Sequence, residues 1–503
     1  MSLQVKAVRG ALWTITSSVG TRLIGLIGTL VLTRFISPET FGEVSVAQVA
    51  VLTASFLTSF GLGQYVVAHP KAGRAAVFHA TLLYQLAGVV ALALVVVLGG
   101  PIGGFFSAPG MATFLPGLAV ACVFERLALM PERILVRDMR FHVVSIERSV
   151  GELAYTAGSV GLAALGWGGM AIVVGSLARS ILRAGVCMAA VERREWAELH
   201  RPDPERLREA LRFGLPLSLG HIAHFGSSNW DNWVVSRLFG PGVLGAYKFA
   251  YNIADIPATH VGEQIGDVLL PSFAHMTEEQ RRAALPRAMG ILGLVVFPLA
   301  IGLGAVSETL VLALLDPKWQ GVAPMLTVLS VLSVTRPIGW TVSSYLQAQH
   351  QTRPIMVLEI LKVVGILVAL PLLGRFGPLW ACSAVGLVYG THAFGSAWVV
   401  RRMYGVRMAT LLWPLVRPLL ACLPMTAAVL GVRLLVGQQG FGARLSLPLE
   451  LVAGAVGYIA AALVVAPAQS REVLGLLQRA LRRKKTAQPQ AIPTPSTGDN
   501  QPG

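Results

Sequence analysis

The sequence predicts an all-α, polytopic membrane protein. Its 503 residues are 54% hydrophobic and only 13% charged, whereas soluble domains carry about a quarter of charged residues. The hydrophobic residues form fourteen runs of the order of the roughly 20 residues that a helix needs to cross a bilayer. Short polar gaps separate these runs, so the bilayer is the main solvent of the chain.

The fourteen predicted transmembrane helices extend along nearly the whole chain. The basic segment 1–13 precedes a hydrophobic run that is too long for a signal peptide and has no small-residue cleavage site, so we expect the first helix to be retained. The seventh and eighth runs contain the most polar residues. The fourteen runs begin near residues 11, 41, 77, 111, 143, 168, 212, 241, 287, 322, 354, 377, 411 and 446.

Lysine and arginine alternate between the two sides of the predicted topology. The even-numbered gaps and the two termini contain 26 of them, whereas the odd-numbered gaps and their edges contain Arg34, Lys318, Arg375 and Arg444. Because positive loops are retained in the cytoplasm, we expect both termini to be cytoplasmic and the protein to lie in a bacterial inner membrane. The net charge of +16 therefore indicates topology and contact with membrane lipids, and we expect no nucleic-acid partner.

Two segments of the sequence resemble each other at an offset of 203 residues. Residues 31–42 read VLTRFISPETFG and residues 234–245 read VVSRLFGPGVLG, so Val, Arg, Pro and Gly coincide without a gap. Six predicted helices separate the copies, which therefore run in the same direction. The alternative is that two unrelated tight hairpins share the same helix-ending residues. A duplication predicts two parallel six-helix lobes, helices 1–6 and 7–12, around a central cavity, with two C-terminal helices added.

This organisation divides the chain into four parts. Residues 1–200 form the predicted N-terminal lobe, and residues 201–408 form an interfacial helix followed by the C-terminal lobe. Residues 409–470 contain helices 13 and 14. Residues 471–503 contain a basic amphipathic segment and a cytoplasmic tail rich in Pro, Gln and Thr, which we expect to be disordered.

The repeated string, together with the segment WDN at residues 230–232, resembles the polysaccharide transporters of the MOP superfamily, and is most similar to the Wzx-type oligosaccharide flippases. The resemblance implies outward flipping of an undecaprenyl-pyrophosphate-linked oligosaccharide for O-antigen, capsule or exopolysaccharide synthesis. It also implies polysaccharide polymerase and export machinery as partners. We expect no enzymatic activity.

Three basic residues lie too deep in the predicted helices to reach water easily, namely Arg22, Lys248 and Arg336. Such charges line wet cavities or pair with one another. Since the implied substrate carries a pyrophosphate, we assign these three residues to substrate binding. The alternative is that each forms an internal ion pair that holds helices together.

Two acidic residues, Asp231 and Asp255, are candidates for binding the cation that drives transport. A carboxylate within a membrane protein can exchange H⁺ or Na⁺, and pairing with Lys248 or Arg336 is the alternative. His221 and His224 could join a proton relay, although helix packing is the simpler interpretation. No metal centre or other cofactor is expected, because the four cysteines are isolated within hydrophobic runs.

Three other functions are compatible with parts of the pattern. A peptidoglycan-precursor (lipid II) flippase shares the fourteen helices and the basic cavity that we expect here. A cation-coupled drug antiporter shares the fold but would favour acidic cavity residues. A membrane glycan polymerase or ligase would need an outer reaction surface, whereas every predicted outer loop is short.

Overall fold

The computed structural model describes residues 20, 24–69, 73–201, 203–256, 264–440 and 442–475, without the side chains of Arg206 and of residues 264–268. These residues form helices and no strands, which confirms the all-α prediction. In chain order the helices are α1 (24–32), α2 (Pro38–Leu57), α3 (Leu62–Ala68), α4 (Gly73–Val97), α5 (Gly99–Phe105), α6 (Met111–Arg137), α7 (Phe141–Ala164), α8 (Gly169–Ala190), α9 (Arg193–Trp196), α10 (Pro204–Asn229), α11 (Asp231–Ala254), α12 (Gln264–Ala274), α13 (Glu278–Leu314), α14 (Val322–Leu332), α15 (Arg336–Ala348), α16 (Thr352–Gly374), α17 (Pro378–Tyr404), α18 (Met408–Gln438) and α19 (Ala443–Val465).

Nine helical stretches within the described ranges are long and apolar enough to cross a membrane. One of them, Val322–Ala348, joins α14 and α15. The protein is therefore a multi-pass membrane protein, and the number of fourteen helices stays a prediction. Helices α10 and α11, which cover most of the predicted spans seven and eight, are not among the nine, in keeping with their polar sequences.

The boundary between the seventh and eighth helices differs from the prediction. The eighth was predicted to begin near residue 241, whereas α11 begins at Asp231. Helix α10 begins at Pro204, as predicted, and the Asp203 side chain accepts a hydrogen bond from the backbone N–H of Glu205 (3.2 Å). It continues without interruption to Asn229, and α11 then bends at Gly240, where φ is +80°. Glycine adopts this angle without strain, and a residue that precedes proline is disfavoured in the helical region.

Helix α2 begins at Pro38, three residues before the start near residue 41 that the sequence predicts. The Ser37 hydroxyl accepts a hydrogen bond from the backbone N–H of Thr40 (3.2 Å), and Pro38 occupies the first turn. An N-terminal Ser cap followed by Pro satisfies one free backbone donor and removes another. Helix α2 forms one side of the contact between the two lobes, and α11 forms the other. The position at which α2 starts therefore determines which of its residues face α11.

The two C-terminal helices pack against α13 around one buried carboxylate. Glu450 of α19 is 0% exposed and accepts hydrogen bonds from Thr309 of α13 (2.7 Å) and Ser446 (2.8 Å). Arg433 of α18 pairs with Glu450 (3.1 Å) and with the more exposed Glu308 (3.3 Å). This network ties α18 and α19 to the C-terminal lobe.

We predict that the substitution Arg433→Ala destabilises the protein, because it leaves the Glu450 carboxylate buried without a counter-charge. Breaking a buried pair in this way costs about 3–5 kcal/mol, which should lower the thermal unfolding midpoint of the detergent-purified protein. Glu308→Gln removes only an exposed partner and should change the midpoint little. An unchanged midpoint for Arg433→Ala would contradict this account of how α18 and α19 are held.

Candidate functional site

The two lobes meet where the two copies of the repeated string lie against each other. A Cβ atom at Gly42 of α2 would overlap with the carbonyl oxygen of Pro241 in α11, and a Cβ atom at Gly245 of α11 would overlap with the carbonyl oxygen of Pro38. We call these four residues the glycine–proline clasp. The offset of 203 residues relates Gly42 to Gly245 and Pro38 to Pro241, so the contact is reciprocal, as a duplication related by a twofold axis predicts.

A second contact closes the same end of the molecule. The indole N–H of Trp319, in the loop between α13 and α14, donates to the carbonyl oxygens of Thr33 (2.9 Å) and Ile36 (3.2 Å). The neighbouring Lys318 ammonium donates to the carbonyl oxygen of Arg34 (3.0 Å). Trp319 is 1% exposed. The C-terminal lobe thus holds the chain that leads from α1 to α2, at the end that the charge pattern predicts to be extracytoplasmic.

The seam between the lobes continues from the clasp toward the opposite end. Ser59, just after α2, and Ser218 of α10 share a hydrogen bond of 3.0 Å. Gln64 Nε2 of α3 and His221 Nδ1 of α10 lie 3.0 Å apart. We call the whole contact of α2 and α3 with α10 and α11 the inter-lobe seam. Its clasp end is packed backbone to backbone. Its other end combines these polar side chains with a second backbone approach, because a Cβ atom at Gly61 would overlap with the carbonyl oxygen of Gly214 in α10.

The second half of helix α11 is covered on all sides except along one polar stripe. Between Leu244 and Asp255, the residues that are not buried are Lys248, Asn252 and Asp255. Their spacing of four and three residues places them on one helix face, and Lys248 lies one turn below Gly245 of the clasp. We call these three residues the polar stripe. Charged and amide groups would be costly against lipid, so an uncovered polar face on a central helix indicates a hydrated interior.

Helix α2 carries a matching uncovered face. Between Val44 and Ser55, the residues that are not buried are Gln48, Leu52 and Ser55, with the same spacing as the polar stripe. Helices α2 and α11 are equivalent by the offset of 203 residues, but this offset relates Lys248, Asn252 and Asp255 to Ser45, Val49 and Leu52. The two uncovered faces are therefore not made of equivalent residues, apart from Leu52 and Asp255. The face on α2 is neutral, so the ionisable residues of these paired faces all lie on the C-terminal lobe.

Of the predicted substrate-binding residues, Lys248 is the one without a strong partner. Within the described part of the chain, its ammonium group forms no hydrogen bond or ion pair, and Asp231 is its nearest opposite charge. Asp231 is 1% exposed and accepts hydrogen bonds from the Tyr247 hydroxyl (2.5 Å) and the backbone N–H of Asn232 (2.9 Å). The position of Arg22 lies outside the described residues, and its role stays a prediction.

Arg336 and Asp255 are brought together as an ion pair, the arrangement that the sequence left open as the alternative. The Arg336 guanidinium also donates to the Tyr251 hydroxyl (3.3 Å) and lies 4.6 Å from the centre of the Tyr389 ring. The Tyr251 and Tyr389 hydroxyls are 3.2 Å apart. Arg336 therefore reaches the end of the polar stripe from α15.

A second charge cluster lies beside the Arg336–Asp255 ion pair. Lys362 and Glu359 of α16 pair at 2.7 Å, and Lys362 lies 5.3 Å from the Tyr389 ring. The sequence did not connect Glu359 with His224 of α10 (3.7 Å) or His392 of α17 (3.6 Å). Only the packing of three helices brings these groups together, so no sequence pattern could have indicated it.

Arg126 in α6 contacts α2 in the N-terminal lobe, as Arg336 contacts α11 in the C-terminal lobe. It is 1% exposed, bonds to Ser55 and Thr58 near the end of α2, and lies 3.6 Å from the centre of the Tyr84 ring. The neighbouring Glu125 pairs with Arg183. Each lobe thus uses an arginine to hold its central helix, and only Arg336 faces the stripe.

Sequence comparison decides the family. The sequence profile of the family described as polysaccharide biosynthesis protein matches residues 31–324, which is more than half of the chain. The chain belongs to this family of polysaccharide biosynthesis proteins. The matched region begins at the first copy of the repeated string and includes the clasp, the polar stripe and Trp319.

Two curated relatives of this polysaccharide biosynthesis protein extend over most of its length. It is 27% identical to the lipopolysaccharide biosynthesis protein WzxC of Escherichia coli (strain K12), over 69% of this chain and 71% of WzxC. It is also 27% identical to the succinoglycan biosynthesis transport protein ExoT of Rhizobium meliloti (strain 1021), over 95% of this chain and 96% of ExoT. The resemblance to MOP-superfamily polysaccharide transporters is confirmed.

The fold is that of a solved flippase. The structure of lipid II flippase MurJ in an inward closed conformation matches with a TM-score of 0.73, covering 90% of this chain and 98% of MurJ. The sequence identity is 15%, so this likeness concerns the fold alone. It confirms the predicted transporter architecture of this family member.

We predict that Gly42→Val and Gly245→Val each open the clasp, because the new side chain must displace a carbonyl oxygen of the opposite lobe. The readout is labelling of a cysteine placed at the buried Ala47, using a maleimide that cannot cross membranes, applied from the clasp side. Labelling should rise in both variants. Gly161→Val is the matched control, because a Cβ atom at Gly161 has no neighbour within 4 Å. Unchanged labelling at normal protein levels would show that the clasp does not close this end.

Proposed function

We propose that this protein is a flippase that moves undecaprenyl-pyrophosphate-linked oligosaccharide units from the cytoplasmic to the periplasmic leaflet, for surface polysaccharide synthesis. Membership of the polysaccharide biosynthesis family and the names of WzxC and ExoT support the substrate class. The fold likeness to MurJ supports transport across a bilayer by two lobes. We propose that the chain itself carries out no covalent chemistry.

The observation that carries this proposal is the polar stripe on α11. Among the described residues, the Lys248 ammonium group has no ion pair, and it lies on the uncovered face of the second half of α11, one turn below a contact that holds the two lobes together. A diphosphate supplies the negative charge that Lys248 lacks, and charge-assisted hydrogen bonds to phosphate are the strong ones. Separation of the lobes at the clasp would expose this face to the other side of the membrane.

Arg336 and Asp255 can couple the substrate to a cation. An incoming diphosphate competes with Asp255 for the Arg336 guanidinium, which can hold phosphate in a bidentate manner. If Arg336 turns to the diphosphate, Asp255 loses its counter-charge and becomes a site for H⁺ or Na⁺. Release of the substrate on the far side restores the ion pair and expels the cation. Asp231, held by Tyr247 and close to Lys248, can respond in the same way.

The topology of the proposed flippase follows from its charges. Since the basic gaps and both termini share one side, we propose that both termini are cytoplasmic and that the clasp is periplasmic. Arg22, which belongs to the first predicted span, is then a third basic residue for the same substrate. We propose the polysaccharide polymerase and the export machinery as partners that receive the flipped unit.

Deletion of the gene should abolish the surface polysaccharide and cause its lipid-linked precursor to accumulate on the inner leaflet.

We predict that Lys248→Gln fails to restore export although the variant is inserted normally, because the diphosphate loses its unpaired ammonium partner. Arg375→Gln, which changes an exposed loop arginine, should restore export fully. Accumulation of the peptidoglycan precursor with cell lysis would instead identify a lipid II flippase, and normal export by Lys248→Gln would remove the site assignment.

Exchanging the charges of Arg336 and Asp255 distinguishes a structural role of Arg336, which is pairing with Asp255, from a role in binding the phosphate of the substrate. If Arg336 only pairs with Asp255, the double variant Arg336→Asp/Asp255→Arg should restore what either single variant loses. We predict that Arg336→Asp and the double variant both export less than a tenth of the normal polysaccharide, roughly the effect of losing a charged hydrogen bond, because phosphate then meets no arginine on α15. Quantification of surface polysaccharide at matched protein levels is the measurement. Full recovery in the double variant would reduce Arg336 to a structural residue.

A further inference from the structure

Arg133 lies near the end of α6 that is predicted to be cytoplasmic. It precedes the last residue of α6, Arg137, by four positions, so it is about 6 Å from the helix end. Within the part of the chain that the structure describes, the Arg133 side chain forms no hydrogen bond or ion pair, and its Nε atom is buried without an acceptor. Arg137, one turn away, is paired with Asp138 (2.8 Å) and Glu195 (3.0 Å).

An unsatisfied guanidinium nitrogen is costly when it is buried, because it has lost water and gained no acceptor. The described residues around Arg133 do not provide an acceptor for its Nε atom. Its aliphatic part lies against Gly63 of α3. Across the seam, the electrostatic neighbours of His221 are two further bases, Arg133 and His224. His224 in turn lies 3.7 Å from the Glu359 carboxylate, which Lys362 also pairs with. Among the described residues, Arg133 and His221 are therefore left without an acidic partner.

The location fits a phosphate group that is attached to a lipid. Arg133 is on the N-terminal lobe and His221 is on the C-terminal lobe, with Gln64 hydrogen-bonded to His221 across the seam (3.0 Å). His221 is exposed, so a ligand can reach this point. A depth of about 6 Å from the helix end corresponds to the headgroup region of the inner leaflet. A guanidinium and an imidazole from different helices can share the oxygens of one diphosphate.

We propose that Arg133, His221 and Gln64 form an entrance subsite for the diphosphate of the lipid carrier, where the substrate is first captured before it reaches the polar stripe. This inference rests on the proposed function and adds a second, separate anion site to it. Arg133 supplies the charge, and His221 and Gln64 supply hydrogen bonds from both sides of the seam. The subsite recognises the diphosphate alone, so it is independent of the sugar sequence.

Binding of farnesyl diphosphate to the full-length protein in phosphatidylcholine nanodiscs tests the proposal. The Lys248→Gln variant is the reference, so that binding at the polar stripe does not contribute. Adding Arg133→Gln should weaken the remaining binding by roughly tenfold or more, and Arg133→Lys should retain most of it, since the charge remains. Arg137→Gln is the matched control on the same helix and should bind as the reference does.

Competition identifies the source of the phosphate. Excess inorganic diphosphate should displace the probe, whereas phosphatidylglycerol in the nanodisc should not. Equal competition by phosphatidylglycerol would overturn the proposal, because Arg133 would then be a general lipid contact. Equal binding with and without Arg133→Gln would overturn it too. If the wild-type protein itself bound no isoprenyl diphosphate, the proposed function would fail and not this subsite alone.

Export in cells gives a second, independent readout. A capture site affects how efficiently a scarce substrate is used, so Arg133→Gln should reduce surface polysaccharide at normal precursor levels. Overproduction of the lipid-linked precursor should restore export to this variant but not to Lys248→Gln. Failure of overproduction to restore Arg133→Gln would contradict a role in capture.

Discussion

The structure depends on the close approach of backbones across the inter-lobe seam. At the clasp, α2 and α11 come so near that a single methyl group on Gly42 or Gly245 would overlap with a carbonyl oxygen of the opposite lobe. This contact is made twice, by equivalent residues of a duplicated string. It fixes the rotation of both helices about their axes, and with it the face that each helix turns toward the interior. The buried cluster that includes Val46, Leu244 and Trp319 then fills the surrounding space across both lobes.

The rotation of α11 explains why the polar stripe is uncovered. With Gly245 against Pro38, the residues one, two and three turns further along the same face are Lys248, Asn252 and Asp255. The uncovered face of α2 carries Gln48, Leu52 and Ser55. Two equivalent helices thus present one charged and one neutral face. The residues of α2 at the positions equivalent to Lys248 and Asn252 are Ser45 and Val49, and both are buried.

The two lobes also treat their buried charges differently. In the N-terminal lobe, Arg183 of α8 is surrounded by Glu125, Glu132 and Glu147, so its charge is neutralised within three adjacent helices. In the described part of the C-terminal lobe, Lys248 has no ion pair and Arg336 pairs with Asp255. A guanidinium with three carboxylates is held in place. An ammonium without a counter-charge attracts an anion, which is why the substrate site is proposed on the C-terminal side.

The sequence by itself determined the helical class, the membrane environment and the duplication, because these follow from composition, run length and self-similarity. It also identified Lys248, Arg336, Asp231 and Asp255 by their depth in apolar runs. Only the tertiary structure decided that Arg336 pairs with Asp255, that Lys248 has no ion pair among the described residues, and that Arg133 lies near His221 across the seam. Partners distant in sequence are chosen by helix rotation, and rotation depends on which atoms can come into contact at the clasp.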